Sequence, residues 1–381
     1  MTSYRIPFNK PCVAKNEFAY VQQALRSPNW SGDGPFTRRC HNLLEEATGA
    51  RKALLTTSCT HALEMAALLL NLRPGDEVIM PSYTFVSTAN AFVLHGAKPV
   101  FVDIRPDTLN LDERLVERAI TARTRAIVPV HYAGVGCAMD ELRSIAARHS
   151  IPIVEDAAHG LFGQYKGKPL GSFGALATLS FHETKNISCG EGGALLINDP
   201  ALIQRAEIIR EKGTNRSRFF RGEVDKYSWV DVGSSYLPAD LLAAVLCAQL
   251  EEAPSIQAKR RAIWGRYRDA LSAWASARGI GLPVIPDDRA CAWHMFYLIL
   301  PDEPTRARVI ARLKERGILS VFHYLPLHLS EMGLRFGGRP GDCPVTEDVS
   351  ERLLRLPFYP ALTPEEQDEI CAALRGAVDS A

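Results

Sequence analysis

Lys185 stands in a polar loop, Phe181-His182-Glu183-Thr184-Lys185-Asn186, between an apolar run and the glycine cluster Gly190, Gly192 and Gly193. An amine held inside a protein at such a place loses its preference for the charged form. Its pKa falls, and it becomes a nucleophile toward carbonyl carbon. A plain surface lysine fits the same spacing. Upstream, Ile153-Val154-Glu155-Asp156-Ala157-Ala158-His159 ends an apolar run on an acidic pair. Ligands of parallel α/β sheets collect at the carboxyl ends of strands, where Asp156 would keep a pyridinium nitrogen protonated. An aspartate before Ala-Ala equally suits a helix N-cap.

Two further stretches carry donors and a ring. In Thr56-Thr57-Ser58-Cys59-Thr60-His61, hydroxyl and small residues follow a short apolar run and open a helix, a combination that binds phosphate through backbone N–H groups. Neither GxxxxGK[ST] nor GxGxxG is present, which counts against a Walker site and against a nicotinamide dehydrogenase. Pro81-Ser82-Tyr83-Thr84-Phe85 follows another apolar run and offers an aromatic to stack on a flat ring, though core packing explains a single aromatic as well. Together, a Schiff-base lysine, a pyridinium partner, a phosphate cradle and a stacking ring match the needs of pyridoxal 5′-phosphate (PLP) and of few other cofactors.

These groups need a frame. Short, nearly continuous apolar runs at 53–55, 77–80, 99–103, 126–130, 153–155, 176–181 and 193–197 read as strands buried on both faces. Helical patterns at 60–70, 87–94, 112–120 and 139–148 alternate with the earlier ones. That alternation predicts βαβ units and an α/β fold with a mainly parallel sheet. After about residue 221 the pattern weakens. Helices are predicted at 238–252 and 256–277, then an α+β module with strand-like pieces at 296–300 and 319–321 and helices at 306–316 and 364–378. The division is expected near residue 250: a large domain over 1–250 and a small C-terminal one over 251–381, with the first ~15 residues packing on the small domain.

Composition narrows the class. The 381 residues carry 44 Lys plus Arg against 43 Asp plus Glu, a net charge of +1, so the basic surplus that neutralises nucleic-acid phosphates is missing. No stretch approaches the ~18–20 apolar residues of a membrane span, and the N-terminus has no apolar core before a cleavage site. The 9 cysteines are scattered without a CxxC pair, which fits reduced thiols and neither a zinc framework nor a disulfide scaffold. A cytoplasmic enzyme without a metal, a nucleic-acid partner or a membrane anchor is expected.

The run 180–195, with Glu155-Asp156-Ala157-Ala158-His159 and Pro81-Ser82-Tyr83-Thr84-Phe85, resembles the DegT/DnrJ/EryC1/StrS family of sugar aminotransferases. The likeness runs from Asn9-Lys10-Pro11 to the C-terminal helix. It implies a fold-type I PLP enzyme with a seven-stranded sheet, and a homodimer with shared active sites. By this resemblance Lys185 forms the internal aldimine and moves the proton, with pyridoxamine phosphate (PMP) as the intermediate carrier. Asp156 pairs with the pyridine nitrogen, and His159 approaches the phenolic oxygen. Phe85 stacks on the ring. Cys59, Thr60 and Ser180 hold the phosphate; Cys59 replaces a glycine, so only its backbone N–H is implied. Ser235 falls where many relatives have an asparagine reaching the neighbouring subunit's phosphate. Ser31 and Gly34 lie in the family's N-terminal sugar loop. Lys212, Asn215, Arg216 and His323 are implied to contact substrate, and for His323 and His328 a core role is equally open.

The implied reaction is transamination of a nucleotide-linked 4-keto-6-deoxy sugar. By that resemblance only the stretch 219–227 and Gly233-Ser234-Ser235-Tyr236 point to dTDP-4-dehydro-6-deoxy-D-glucose, with L-glutamate as donor. Relatives acting at C3 or on UDP- or GDP-linked sugars share most motifs. Dehydratase relatives carry His in place of Lys185. A PLP-binding regulator without turnover would need a DNA-binding module, for which the chain has no spare domain or basic patch.

Overall fold

The computed structural model describes residues 4–379. Its centre is a sheet built from β1 (Lys52–Thr56), β2 (Glu77–Pro81), β3 (Lys98–Val102), β4 (Thr124–Ile127), β5 (Val154–Asp156), β6 (Leu176–Ser180) and β7 (Gly193–Ile197). Four of these pair in the order β1-β7-β6-β5 and three in the order β3-β2-β4. Parallel bridges from Ile127 to Ile153 and from Val130 to Asp156 join the two sets into the expected seven. Only β7 runs against its neighbours, with Gly193 opposite both Thr56 and Ser180; the remaining pairs are parallel.

Successive side chains of a strand point to opposite faces, and both faces here are buried. Leu54, Leu195 and Ile197 join one core with Ala62, Ala66 and Phe92 from the helices α3 (Cys59–Leu69) and α4 (Val86–Val93). Ala53, Leu55 and Leu196 join another with Phe36, Leu44 and Leu246 on the opposite side. Two layers of helix on a parallel sheet require continuous apolar strands, which is why the runs are not alternating.

Three local features differ from expectation. The stretch 112–120 forms only a short helix, Glu113–Val116, and a 3₁₀ turn, Glu117–Ala119, because Ile120 returns to extended backbone. At 319–321 there is no strand; Ile318 and Val321 make single bridges to Ile6 and Arg355. Two N-terminal helices are added, α1 (Glu17–Arg26) and α2 (Pro35–Thr48); α2 starts on Pro35 and stops at left-handed Gly49.

A further core gathers Ile6, Trp264, Tyr267, Phe296, Leu354 and Leu374. Ile6 reaches it by backbone bonds, its N–H to Gly317 and its carbonyl accepting from Leu319, both at 3.0 Å. Among the described residues no helix is long and apolar enough to cross a membrane.

Candidate active site

A cavity of about 790 Å³ opens where the carboxyl ends of β1, β2, β5 and β6 meet the C-terminal module. Ser58, Phe85, Asp156 and Ser180 reach it from those strand ends. Since β7 is reversed, its beginning lies at the same edge, and the loop before it adds Lys185 and Gly192. His294, His323 and Arg355 close the far wall.

Asp156 terminates β5 and is buried. No helix follows it, so the capping alternative falls away. Its Oδ2 accepts from Thr88 Oγ1 at 2.8 Å, and its Oδ1 from the N–H of Ala158 at 3.1 Å. A carboxylate is an acceptor only, so its remaining lone pairs suit a cationic N–H. Glu155, its neighbour, points elsewhere. It accepts from the N–H groups of Gly171, Phe173 and Gly174 and bonds His131 Nε2 at 2.9 Å, both side chains being inaccessible. The first acid of the pair anchors a loop; the second faces the cavity.

His159 stacks on His294 with centroids 4.0 Å apart, and its buried Nδ1 has no partner. Burial holds both imidazoles, and that of His323, well below the ordinary value, so the rings are neutral. His294 Nδ1 bonds Asn186 Oδ1 at 2.8 Å, and Asn186 directly follows Lys185. His294 thus links the His159 ring to the lysine loop, a connection that no local motif encodes. His323 bonds Tyr132 OH through Nδ1 at 2.9 Å and lies in the cavity wall. His328 does not: its ring spans Ser82 Oγ at 2.6 Å and Glu347 Oε1 at 3.0 Å, a structural role.

Lys185 lines the cavity, and burial lowers its pKa to about 8. The neutral, nucleophilic amine is therefore available near neutral pH, whereas a solvated lysine keeps its proton to above pH ~10. In the cofactor-free protein, trapping of Lys185 by an aldehyde and borohydride should rise about tenfold per pH unit below that pKa and level off above about 8. Peptide mapping of the trapped lysine checks this; a rise continuing beyond pH ~10 would place the amine in solvent. Cys59, beside it in the wall, is pushed up to about 12 by burial and stays a thiol.

The N-terminus of α3 faces the same space through Ser58, Cys59 and Thr60. Thr60 Oγ1 bonds Ser87 Oγ at 2.8 Å, which orients the hydroxyl. Gly193 makes the cradle possible, since a Cβ there would lie 2.3 Å from Ser58 C and 2.4 Å from Cys59 N. Ser180 is partly accessible in the wall, and Phe85 is 56% exposed at the mouth. An amine for an aldehyde, a carboxylate for a cationic ring nitrogen, an unpartnered imidazole, and amides with hydroxyls for a phosphate converge here. This donor set fits PLP.

The expected substrate residues fall elsewhere. Ser31, Lys212 and Arg216 line a second cavity of about 900 Å³, with Arg38 and Arg221; Ser235, which the resemblance puts at a cofactor phosphate, lies there too and not in the first cavity. Only His323 of that group is in the first. Gly34 and Asn215 line neither: Gly34 caps α2 against the Asp240 carboxylate, and Asn215 Oδ1 accepts from the N–H of Ser228 at 2.8 Å. Phe220, in the wall of the second cavity, is 69% exposed, and Trp229 is 79% exposed.

Residues 11–375 match the DegT/DnrJ/EryC1/StrS aminotransferase family. The spore coat polysaccharide biosynthesis protein SpsC of Bacillus subtilis is 34% identical over 99% of this chain and 98% of its own. A sugar aminotransferase described as putative, Spr1654 of Streptococcus pneumoniae, was solved in PLP and PMP forms. Its PLP form superposes with a TM-score of 0.91 at 29% identity, covering 99% of each chain. DesV of S. venezuelae superposes at 0.87 with 33% identity, over 96% of this chain and 95% of its own.

Proposed function

Because the chain belongs to the DegT/DnrJ/EryC1/StrS aminotransferase family, we propose that it is a fold-type I sugar aminotransferase converting dTDP-4-dehydro-6-deoxy-D-glucose and L-glutamate to dTDP-4-amino-4,6-dideoxy-D-galactose and 2-oxoglutarate. This is the reaction of dTDP-4-amino-4,6-dideoxygalactose transaminase of the enterobacterial common antigen pathway. The observation that supports transamination is the convergence of Lys185, Asp156 and the α3 N-terminus on one cavity. The cofactor is PLP.

When bound, PLP supplies a conjugated ring that accepts the electron pair left as a proton departs. Lys185 Nζ, its basicity tuned by burial, carries that proton from and to the substrate carbon. The Asp156 carboxylate holds a proton on the ring nitrogen. The N–H groups at the start of α3, with the hydroxyls of Thr60 and Ser180, hold the phosphate. Phe85 would cover a ring face, and His159 would stand by the phenolic oxygen.

The basic second cavity suits an anionic sugar nucleotide. Its separation from Lys185 within one chain supports a homodimer in which Ser31, Lys212, Arg216 and Ser235 complete the neighbour's site. The exposed Phe220 and Trp229 supply apolar surface for that contact. The division near residue 250 would set the C-terminal module over the cavity as its mobile wall.

The test incubates the purified protein, PLP and L-glutamate with dTDP-, UDP- and GDP-linked keto sugars, then identifies the aminated product by mass spectrometry and NMR. The C4 dTDP amino sugar is expected. Amination at C3, or preference for a UDP or GDP sugar, would overturn the substrate; no amination of any sugar would overturn the activity.

A further inference from the structure

We propose that Arg355 recognises a carboxylate of the amino donor, its guanidinium forming the anion-binding end of the reaction cavity. The inference rests on the aminotransferase reading above and names how that site takes its first substrate. Arg355 ends the strand Leu353–Arg355 and is held from both sides. It pairs with Tyr297 in one direction, and in the other its N–H donates to Val321 O at 2.8 Å while its carbonyl accepts from Val321 N at 3.2 Å. The backbone is thus fixed while the side chain lines the cavity that holds Lys185.

The guanidinium has little to bond. Its carbon lies 4.6 Å from the centroid of the Phe8 ring, and Nη2 makes one long contact of 3.5 Å to Phe322 O. Nε is inaccessible and has no partner. Among the described residues no carboxylate forms an ion pair with it. Other arginines of the fold do find acids: Arg210 meets Asp33 and Arg205 meets Asp231, each at 2.8 Å. Burial lowers the pKa of Arg355 from its usual value, and its charge in turn disfavours protonation of Lys185, His159, His294 and His323. Arg355 is only partly buried, yet its cation has no acid partner among these aromatic walls, and an anion arriving with the ligand would supply one.

The chemistry of the ligand follows from the surroundings. Arginine presents a planar fork that matches a carboxylate in two parallel hydrogen bonds. The amino donor must bring its nitrogen to the cavity of Lys185, and its α-carboxylate sits on the same carbon as that nitrogen. A diphosphate asks for several cations, and those are grouped in the other cavity, at Lys212, Arg216 and Arg221. The keto sugar brings no carboxylate, so Arg355 acts in the first half of the reaction and not in the second.

The experiment uses the PLP-loaded protein and two variants, Arg355→Gln and Arg355→Lys. Glutarate, a dicarboxylate without an amine, is titrated by calorimetry, and L-glutamate is followed by stopped-flow absorbance. Arg355→Gln is expected to weaken both about 10- to 100-fold, the range for losing a charge-assisted hydrogen bond. Arg355→Lys, which keeps charge but loses the fork, should fall between. Starting instead from the PMP-loaded protein, the affinity for the keto sugar nucleotide should change less than about threefold, since the cations that suit its phosphates lie in the other cavity. Unchanged glutarate affinity in Arg355→Gln would overturn the proposal, as would an equal loss for the sugar nucleotide. The glutarate arm needs no sugar. Wild-type protein that binds glutarate through Arg355 yet aminates no sugar would sink the proposed reaction and leave this inference standing.

Discussion

Lys185→Ala is expected to bring transamination down by at least about 10,000-fold, because in the proposed reaction one side chain would serve both as nucleophile and as proton carrier. No neighbour can replace it. Burial holds the three cavity histidines well below their usual pKa, which makes them weak proton acceptors, and stacking or bonds to Tyr132 and Asn186 hold them in place. The Cys59 thiol, at about 12, is too weak an acid to ionise near neutral pH. Arg355 keeps its proton and has no free base to offer. The loop itself should survive, since the backbone bond from Lys185 N to His182 O, at 2.9 Å, does not involve the side chain. The measurements are turnover, the visible absorbance of the bound cofactor and the melting temperature. Both of the first two should be lost while melting stays close to wild type. Normal turnover in this variant would falsify the role given to Lys185.

Asp156→Asn should follow with a loss of about 100- to 1,000-fold in turnover, the scale for removing one preorganised electrostatic group. The change conserves shape. Thr88 Oγ1 and the Ala158 N–H still find an oxygen or rotate to suit, so the pocket remains assembled. What would be lost is the negative charge proposed to face the ring nitrogen, and an amide can place an N–H where an acceptor is required. Cofactor binding, which also draws on the α3 N-terminus, should weaken far less than turnover. Equilibrium dialysis with PLP, set beside steady-state rates, separates the two. If turnover were unchanged, Asp156 would not be the partner of the ring; if the cofactor were lost in proportion, its role would be anchoring and no more.

The sequence made much of this visible, and the reasons are physical. Strands buried on both faces must be continuously apolar, so each of the seven was readable within three residues of its observed ends. Their carboxyl ends are where a parallel sheet gathers ligands, which brought out Asp156, the 56–61 stretch and Phe85. Lys185 stood out through the glycine cluster beyond it. His294 and Arg355 were not readable. They come from the C-terminal module and meet the sheet only through tertiary packing, with nothing local to mark either. The same limit applies to the two histidines of one segment. His323 enters the cavity and His328 turns to Ser82 and Glu347, and five residues of spacing in an irregular segment cannot say which. Gly34 reads from its loop as a sugar contact; what the structure shows there is the close approach of Asp240 to the start of α2, which leaves no room for a Cβ. Helices α1 and α2 were missed because no strand precedes them to set up the βαβ rhythm.

The reversed β7 strand bears on how this protein can change over time. Because Gly193 meets the start of α3 with no room for a methyl group, every missense change of its codon adds at least that group. Position 193 therefore offers no gradual path; it is kept, or the cradle is rebuilt by several substitutions at once. New substrate preferences have to be acquired at walls that tolerate single steps. The exposed mouth residues Phe322 and Leu325 are such places, at 50% and 66% exposure. The end of the cavity beside Gly193 is frozen by geometry, and descent with modification is channelled to its open mouth.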